Sequence, residues 1–490
     1  MQAQSGRAVG VVAAFVLAAA ASAQCGVTTF GAATTSPTGT GSRSIAVGDF
    51  NGDGRLDMAV AAASANHIQI LSGTGAGTFT SGALIAAQSP YQIVTGDVNN
   101  DGKLDLVTAS TAGNCSAYLG NGIGGFITQS SVSVGSTPRC VALGDLNGDG
   151  KLDLVTANSS SGTTSVCLGT GNGTFAAAAT YAALANPNAV VVGDVNGDGK
   201  PDVLTTSAGT NGIAVRLGVG NGTLAASTTV PGVGGAGGLL VDVNNDGTLD
   251  VLILNQMLNQ VFIVRGNGNG TFQPATTLAV PNVGSGWFMA ATDFNGDGKL
   301  DLAVPRDGAS QLGIYLGDGT GAFSAGPTMA AATNPLGAAV GDFNGDGKPD
   351  AAVANATSAS VTSYLNTGSF EPRFVVQPVG GAYPSDADVT LTTALRPGAS
   401  ATLTWRFNGT PISTGPRYQG VTSTSLTIRA FGRFEAGTYD CVATGCSVAT
   451  TDPAVLTLQA PNTCGADFNN DGFLDFTDFD SFVIAFEAGC

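Results

Sequence analysis

An all-β fold is predicted for this chain, on three observations. A ten-residue acidic phrase, GDFNGDGRLD at 48–57, returns at 96, 144, 193, 241, 292 and 341, about 48 residues apart. Each copy leads into a short run rich in β-branched and apolar residues, such as DLVTAN at 153 or DVLILN at 250. About 23 residues after each phrase comes a glycine-rich one, such as LSGTGAGTF at 71 or CLGTGNGTF at 167. With 72 glycines in 490 residues and only 11% charged residues, turns are plentiful.

The first 23 residues, MQAQSGRAVGVVAAFVLAAAASA, carry one basic residue (Arg7), a short apolar run and the small triplet Ala21, Ser22, Ala23. They read as a secretory signal peptide cleaved before Gln24. The run is too short to favour a membrane span, and no second run of about 18 apolar residues follows. The mature chain is therefore expected outside the cell or at its surface. Eight cysteines in an exported chain suit disulfides, with the pairing of Cys25, Cys115, Cys140 and Cys167 left open.

The net charge of −17 is concentrated, because the seven phrases hold 21 of the aspartates, three each. Acidity here is local ligand chemistry rather than a general field. The absence of a basic stripe argues against nucleic acid as a partner.

In D-x-N-x-D-G-x-x-D, side-chain oxygens stand at positions 1, 3, 5 and 9, a carbonyl is available at 7, and glycine at 6 permits the sharp bend. Hard oxygen donors at this spacing favour Ca²⁺. The first set is Asp49, Asn51, Asp53, Arg55 and Asp57; the second is Asp97, Asn99, Asp101, Lys103 and Asp105. The third and fourth are Asp145, Asn147, Asp149, Lys151, Asp153 and Asp194, Asn196, Asp198, Lys200, Asp202. The fifth is Asp242, Asn244, Asp246, Thr248 and Asp250. The sixth and seventh are Asp293, Asn295, Asp297, Lys299, Asp301 and Asp342, Asn344, Asp346, Lys348, Asp350. An EF-hand would need a carboxylate at position 12, where these loops carry Val60, Thr108, Thr156, Thr205, Ile253, Val304 and Val353. A plain hairpin would need two or three turn residues, not four oxygen-bearing positions held in register seven times.

The glycine phrase lies between two strand-like runs, with no following helix or Walker lysine, so it reads as a hairpin turn and not a phosphate loop. Each unit is then strand, acidic loop, strand, turn, strand, glycine turn, strand. Four strands per 48 residues, repeated seven times, is a seven-bladed β-propeller, expected over 24–371. The segment TTFGAATTSP at 28–37 mimics the last strand of a unit and is expected to complete the final blade.

These units resemble the FG-GAP/VCBS repeats, the propeller repeats of integrin α-chains and many secreted bacterial proteins. All seven loops match that family's calcium pattern. The resemblance implies calcium loops on one face of the propeller and ligands at the other.

Residues 372–460 resemble an immunoglobulin-like β-sandwich: Trp405 fits the buried tryptophan, and Tyr439 stands two residues before Cys441 as in a tyrosine corner. The early-strand cysteine is missing, Thr392 or Thr393 standing there, and the resemblance implies pairing of Cys441 with Cys446. The tail, 461–490, repeats the phrase with Asp467, Asn469, Asp471, the carbonyl of Phe473, and Asp475, and adds Asp478 at position 12. Phe479, Phe482, Val483 and Phe486 form one apolar helical stripe after it. This loop-helix unit resembles half a dockerin, implies an eighth Ca²⁺, and is expected to be stapled by Cys464 and Cys490. Envelope anchoring through this tail is a further expectation.

The polar inventory argues against an enzyme. His67 is the single histidine, the glutamates Glu371, Glu435 and Glu487 all lie beyond the seventh loop, and all five lysines sit inside acidic loops. A catalytic triad, a zinc site or a paired-carboxylate hydrolase has almost nothing to draw on. Six residues before each loop's first Asp stand Arg43, Tyr91, Arg139, Asn188, Ala236, Trp287 and Leu336. A strand of about 20 Å separates them from the loops, so they are expected to ring the opposite mouth of the channel. Arg43, Tyr91, Arg139, Asn188 and Trp287 are the candidate ligand residues, suited to a glycan or another extracellular ligand. The alternative is that strand beginnings vary freely. The expected function is calcium-stabilised adhesion or carbohydrate binding, with a calcium-assisted polysaccharide lyase or a purely structural surface protein as alternatives.

Overall fold

The computed structural model describes Gly26 and residues 28–459, apart from 209–211. The leader at 1–23, Cys25, the tail loop Asp467, Asn469, Asp471, Phe473, Asp475 and Asp478, and the Cys464–Cys490 staple lie outside the described residues. Two compact units are present: Gly26–Val375 with Leu395–Ser400, and Val376–Ala394 with the described residues from Ala401 on.

Among the described residues, the first unit contains seven four-stranded antiparallel sheets. The first is built from Ser42–Gly48, Asp57–Ala62, His67–Gly73 and Phe79–Ala86, in that order. Five more sheets follow the same order, their first strands at Pro90–Gly96, Pro138–Gly144, Pro187–Gly193, Gly237–Val241 and Ala290–Thr292. The last consists of Pro335–Gly341, Asp350–Asn355 and Ser360–Tyr364, and its fourth strand is Thr34–Pro37 from the start of the chain. Thr34 pairs with Ser363 and Pro37 with Ser360. That pairing covers an edge that would otherwise be left open.

The core lies between sheets, which explains the apolar runs after each loop. Second strands such as Asp57–Ala62 and Asp153–Asn158 are buried along their whole length, whereas the fourth strand Phe79–Ala86 is mostly exposed. Ala59, Ala61 and Ile70 of the first sheet pack with Ile93, Leu106 and Tyr118 of the second. On the first sheet's other face, Met58 and Val60 meet Phe343, Ala352 and Val361 of the last. Sheets stacked face to face in series, with the first also against the last, form a β-propeller.

The second unit has a larger sheet, with Gly381–Tyr383, Ala454–Leu458, Gly437–Thr444, Thr402–Phe407 and Thr410–Pro411 in order and Val448–Thr450 beside Gly437–Thr444. A smaller sheet holds Val389–Thr392, Ser425–Ile428 and Tyr418–Gln419. Trp405 is fully buried and its indole N–H donates to the Ser423 carbonyl at 2.9 Å. The buried Tyr439 hydroxyl donates to the Glu435 carbonyl at 2.8 Å.

The cysteine expectations need correction. Cys441 is a free thiol at 0% exposure and does not pair with Cys446. Cys115, Cys140 and Cys167 are likewise free and buried. Cys115 and Cys167 pack among Val107, Val141 and Leu154, so they serve as small apolar core residues. Burial pushes the Cys140 thiol up to about 11 and that of Cys167 to about 12.

Candidate functional site

Each acidic loop joins the first and second strands of a sheet and closes on its own backbone. The position-1 carboxylate accepts the position-6 glycine N–H, as Asp49 Oδ2 does from Gly54 at 2.8 Å. The Asn51 side-chain oxygen accepts the Asp53 N–H at 2.9 Å, and Asp53 accepts the Arg55 N–H at 2.9 Å. The position-9 aspartate is fully buried in every described loop. Asp57 Oδ2 accepts the Phe50 N–H at 3.0 Å, and its Oδ1 accepts the N–H of Gly73, at the end of the third strand, at 2.8 Å. The same two bonds recur on Asp105, Asp153, Asp202, Asp250, Asp301 and Asp350. A buried carboxylate thereby ties the loop to the third strand of its own sheet.

A second tie runs between sheets. The Gly124 N–H, in the second sheet's glycine hairpin, donates to the Phe50 carbonyl of the first loop at 2.9 Å. Gly173 does the same to Val98, Gly222 to Leu146 and Gly270 to Val195, while Gly77 of the first sheet bonds Phe343 of the seventh loop. Edge-to-face ring pairs, Phe50 with Phe126 and Phe79 with Phe343 at 5.5 Å, lie beside two of these ties.

The loop electrostatics fit a hard divalent cation, although the side chains are not already gathered round one point. Burial raises the pKa of Asp57, and the like charges of Asp53 and Asp49 raise it further. For Asp301 and Asp350 burial, with the two neighbouring loop aspartates adding to it, pushes the value up to about 7. Among the described residues no three His, Cys, Asp or Glu side chains close round a common point. The position-1 and position-9 carboxylates are turned to N–H groups, and Lys103 and Lys151 reach Asp101 and Asp149 at 3.3 and 3.2 Å. The donor set is oxygen-only with three neighbouring carboxyl groups, a set that would suit a hard cation such as Ca²⁺. The sixth loop has an additional cation. Arg396 Nη2 lies 3.3 Å from Asp293 Oδ2, its Nη1 donates to the Gly296 carbonyl, and its guanidinium sits 5.0 Å from the Phe370 ring centroid.

At the opposite ends of the first strands, the candidate ligand residues come together. The Arg43 guanidinium lies 4.6 Å from the Tyr91 ring centroid, and that of Arg139 lies 5.9 Å from Tyr91 and 5.4 Å from Trp287. Tyr91 and Trp287 meet edge to face at 5.3 Å. Arg139 Nη1 donates to Asn188 Oδ1 at 2.9 Å. Ala236 and Leu336 are buried apolar positions.

A common backbone device aims these side chains. The first strands shift register between Ser42 and Ser44, Pro90 and Gln92, Pro138 and Cys140, Pro187 and Ala189, and Pro335 and Gly337. Arg43, Tyr91, Arg139, Asn188 and Leu336 are each the extra residue of a β-bulge, which redirects a side chain out of the ladder. Trp287 is placed differently: its N–H donates to the Leu336 carbonyl of the next sheet at 2.8 Å. Beside this mouth, the first strands of the second to fifth sheets and Phe288 line a cavity of about 310 Å³. Gln92 lies in its wall and accepts the Val141 N–H at 2.6 Å.

Comparison with known proteins follows the same loops. The FG-GAP-like repeat model matches residues 49–108, 97–156, 145–205, 242–304 and 293–353, more than half of the chain. The chain belongs to the FG-GAP-like repeat family. Each match runs from one acidic loop past the next, so the five FG-GAP matches take in all seven loops. No curated protein matches the chain. A solved structure of BBS1N in complex with ARL6DN is 12% identical, covering 70% of this chain and 97% of its own, with a TM-score of 0.49. A putative 6-phosphogluconolactonase from Bacteroides uniformis is 15% identical, covering 66% and 89%, also at 0.49. Titin M4 is 21% identical over 18% of this chain and 95% of its own, at 0.17. Scores and identities this low carry nothing about what this FG-GAP chain binds.

Sequence reasoning missed Arg396, Gln92 and Phe288. Arg396 lies about a hundred residues from the loop it meets, and no local pattern marks it. Gln92 directly follows a bulge residue, and no sequence pattern marks that bulge.

Proposed function

We propose that this FG-GAP chain is a secreted, non-catalytic adhesion or carbohydrate-binding protein. It is a seven-bladed propeller whose loops each hold one Ca²⁺ and whose opposite mouth takes a glycan or an extracellular protein ligand. The observation that carries this reading is the convergence of Arg43, Tyr91, Arg139, Asn188 and Trp287, drawn from four sheets and the segment before the sixth, at the end away from the loops. In each loop the ligands would be the oxygens of positions 1, 3, 5 and 9 and the position-7 carbonyl. Bound Ca²⁺ would supply the positive charge that three neighbouring carboxylates lack. The second unit, with Trp405 buried and the Tyr439 hydroxyl bonded four residues back, supports an immunoglobulin-like spacer. A dockerin-like tail with an eighth Ca²⁺ completes the proposal.

The test is binding of the mature chain to a broad glycan array with Ca²⁺ and with EDTA. Binding that is lost in EDTA supports a calcium-dependent lectin-like propeller. Absence of binding in both buffers removes the carbohydrate reading, and release of unsaturated product from a polysaccharide removes the non-catalytic one.

A further inference from the structure

Two arginines at the channel mouth share an aromatic wall without any acidic partner. Neither Arg43 nor Arg139 forms an ion pair with a described residue. Within the propeller, the aspartates outside the loops are Asp307 and Asp318. The Asp307 carboxylate accepts the Ser285 N–H at 3.0 Å, and that of Asp318 accepts the Thr320 N–H at 2.7 Å. The loop carboxylates lie at the other ends of the strands. Two guanidinium groups against one tyrosine ring repel each other unless an anion lies between them. Arg139 also has an Nε that is buried and finds no hydrogen-bond partner. An orphaned buried N–H is costly, so this guanidinium is under-partnered where it stands.

From this geometry we infer that the mouth binds a carboxylated sugar residue, of the uronic-acid class. The carboxylate is held by the guanidinium forks of Arg43 and Arg139, which suit two-oxygen acceptors. The pyranose ring lies against the half-buried Trp287, with the buried Tyr91 packed beside it, and the Asn188 side chain holds Arg139. A pyranose that carries its own carboxylate matches an anion site placed directly beside two aromatic rings. This inference rests on the reading of the mouth as the binding face and narrows its ligand to one chemical class.

Oligogalacturonate and a neutral malto-oligosaccharide of the same length are titrated into the mature full-length chain in Ca²⁺, following tryptophan emission. Trp287 reports the site, because Trp405, the other tryptophan, is fully buried in the second unit. The expected result is saturable binding of oligogalacturonate that weakens with added salt. Arg43→Gln and Arg139→Gln should each weaken it about tenfold or more, with the melting temperature little changed. Should either variant misfold, Arg43→Lys and Arg139→Lys, which keep the charge and lose the fork, take its place with the same expected direction. Equal affinity for the neutral oligosaccharide would leave the binding face standing and overturn the carboxylate assignment. Unchanged oligogalacturonate affinity in the arginine variants would also overturn it. Binding of neither probe, with array ligands still bound, overturns the inference alone; binding of nothing at all overturns the binding face with it.

Discussion

In the seventh sheet the Asn366 N–H donates to Asp350 Oδ1 at 2.7 Å, at the place where the other six sheets use a glycine. At Gly73, Gly169 or Gly317 an added Cβ would overlap the carbonyl oxygen of loop position 8. Asn366 turns the same neighbourhood to use: its Nδ2 donates to the position-8 carbonyl of Pro349 at 3.1 Å and to the Phe294 carbonyl at 2.8 Å. The Asn366 Oδ1 also accepts the Gly368 N–H at 2.9 Å. Asn366→Gly should keep the fold and cost about 2–4 kcal/mol, the value of three modest hydrogen bonds. Gly169→Ala, at the equivalent place in the third sheet, should cost more because a backbone oxygen cannot move aside. Denaturant melts of the two variants check the order.

Removing one buried loop aspartate should be among the most damaging single changes. Asp153→Ala leaves the N–H groups of Leu146 and Gly169 buried without an acceptor, at about 1–3 kcal/mol each. Asp153→Asn keeps one acceptor and should fall between Asp153→Ala and wild type. Urea midpoints with EDTA present isolate this structural role from metal binding.

Calcium should raise the melting temperature and EDTA should lower it, because the folded chain keeps each loop's oxygens within one tight turn where a bound cation can draw them in. Calorimetric titration of the metal-free mature chain should reach between seven and eight ions. Arg396→Ala removes a cation from the sixth loop and should tighten one of those sites while leaving the total unchanged.

The metal-free propeller should lose stability as the pH rises from about 4 to about 7. Burial holds Asp301 and Asp350 at about 7 in the folded chain, against about 4 when unfolded. In that window the folded state keeps protons that the unfolded state has released, so raising the pH favours unfolding. Asp57, Asp105, Asp153, Asp202 and Asp250 are raised from the same leading cause and act in the same direction. Calcium needs these groups ionised, so the stabilisation it adds should grow over the same window. Thermal melts at pH 5 and pH 8, with Ca²⁺ and with EDTA, give the four values required.

Backbone crowding at the channel mouth should make two glycines irreplaceable. A methyl group on Gly237 would overlap the Trp287 carbonyl, and one on Gly337 the Arg43 carbonyl. Gly337→Ala should therefore disturb both stability and any ligand affinity, whereas Gly232→Ala, near no other atoms but at a positive φ of 79°, should cost about 1 kcal/mol of strain without touching affinity. Parallel melting and binding curves separate the two effects.

Much of the propeller could be read in the chain because its signals are local. The position-9 aspartates, the β-branched runs after them and the glycine hairpins all lie within one unit, and repetition at a fixed interval made the repeated sheet legible. Trp405 and Tyr439 were legible for the same reason, as short-range signatures. The disulfide expectation fails for Cys115, Cys140, Cys167 and Cys441 because cysteine count says nothing of packing, whereas these four are held as free, buried residues among the strands.

The sequence by itself determined the repeated acidic loops, the order of strands and the segment Thr34–Pro37 that resembles a fourth strand, all consequences of spacing along one chain. Only the tertiary structure decided that Arg43, Tyr91, Arg139 and Asn188 leave the ladder as bulges, and that Trp287 reaches across to Tyr91. It also decided that Arg396 sits on the sixth loop and that Asn366 replaces a glycine. The physical reason is that register, bulging and close approach are set by how neighbouring sheets pack on each other, and that packing has no period in the sequence.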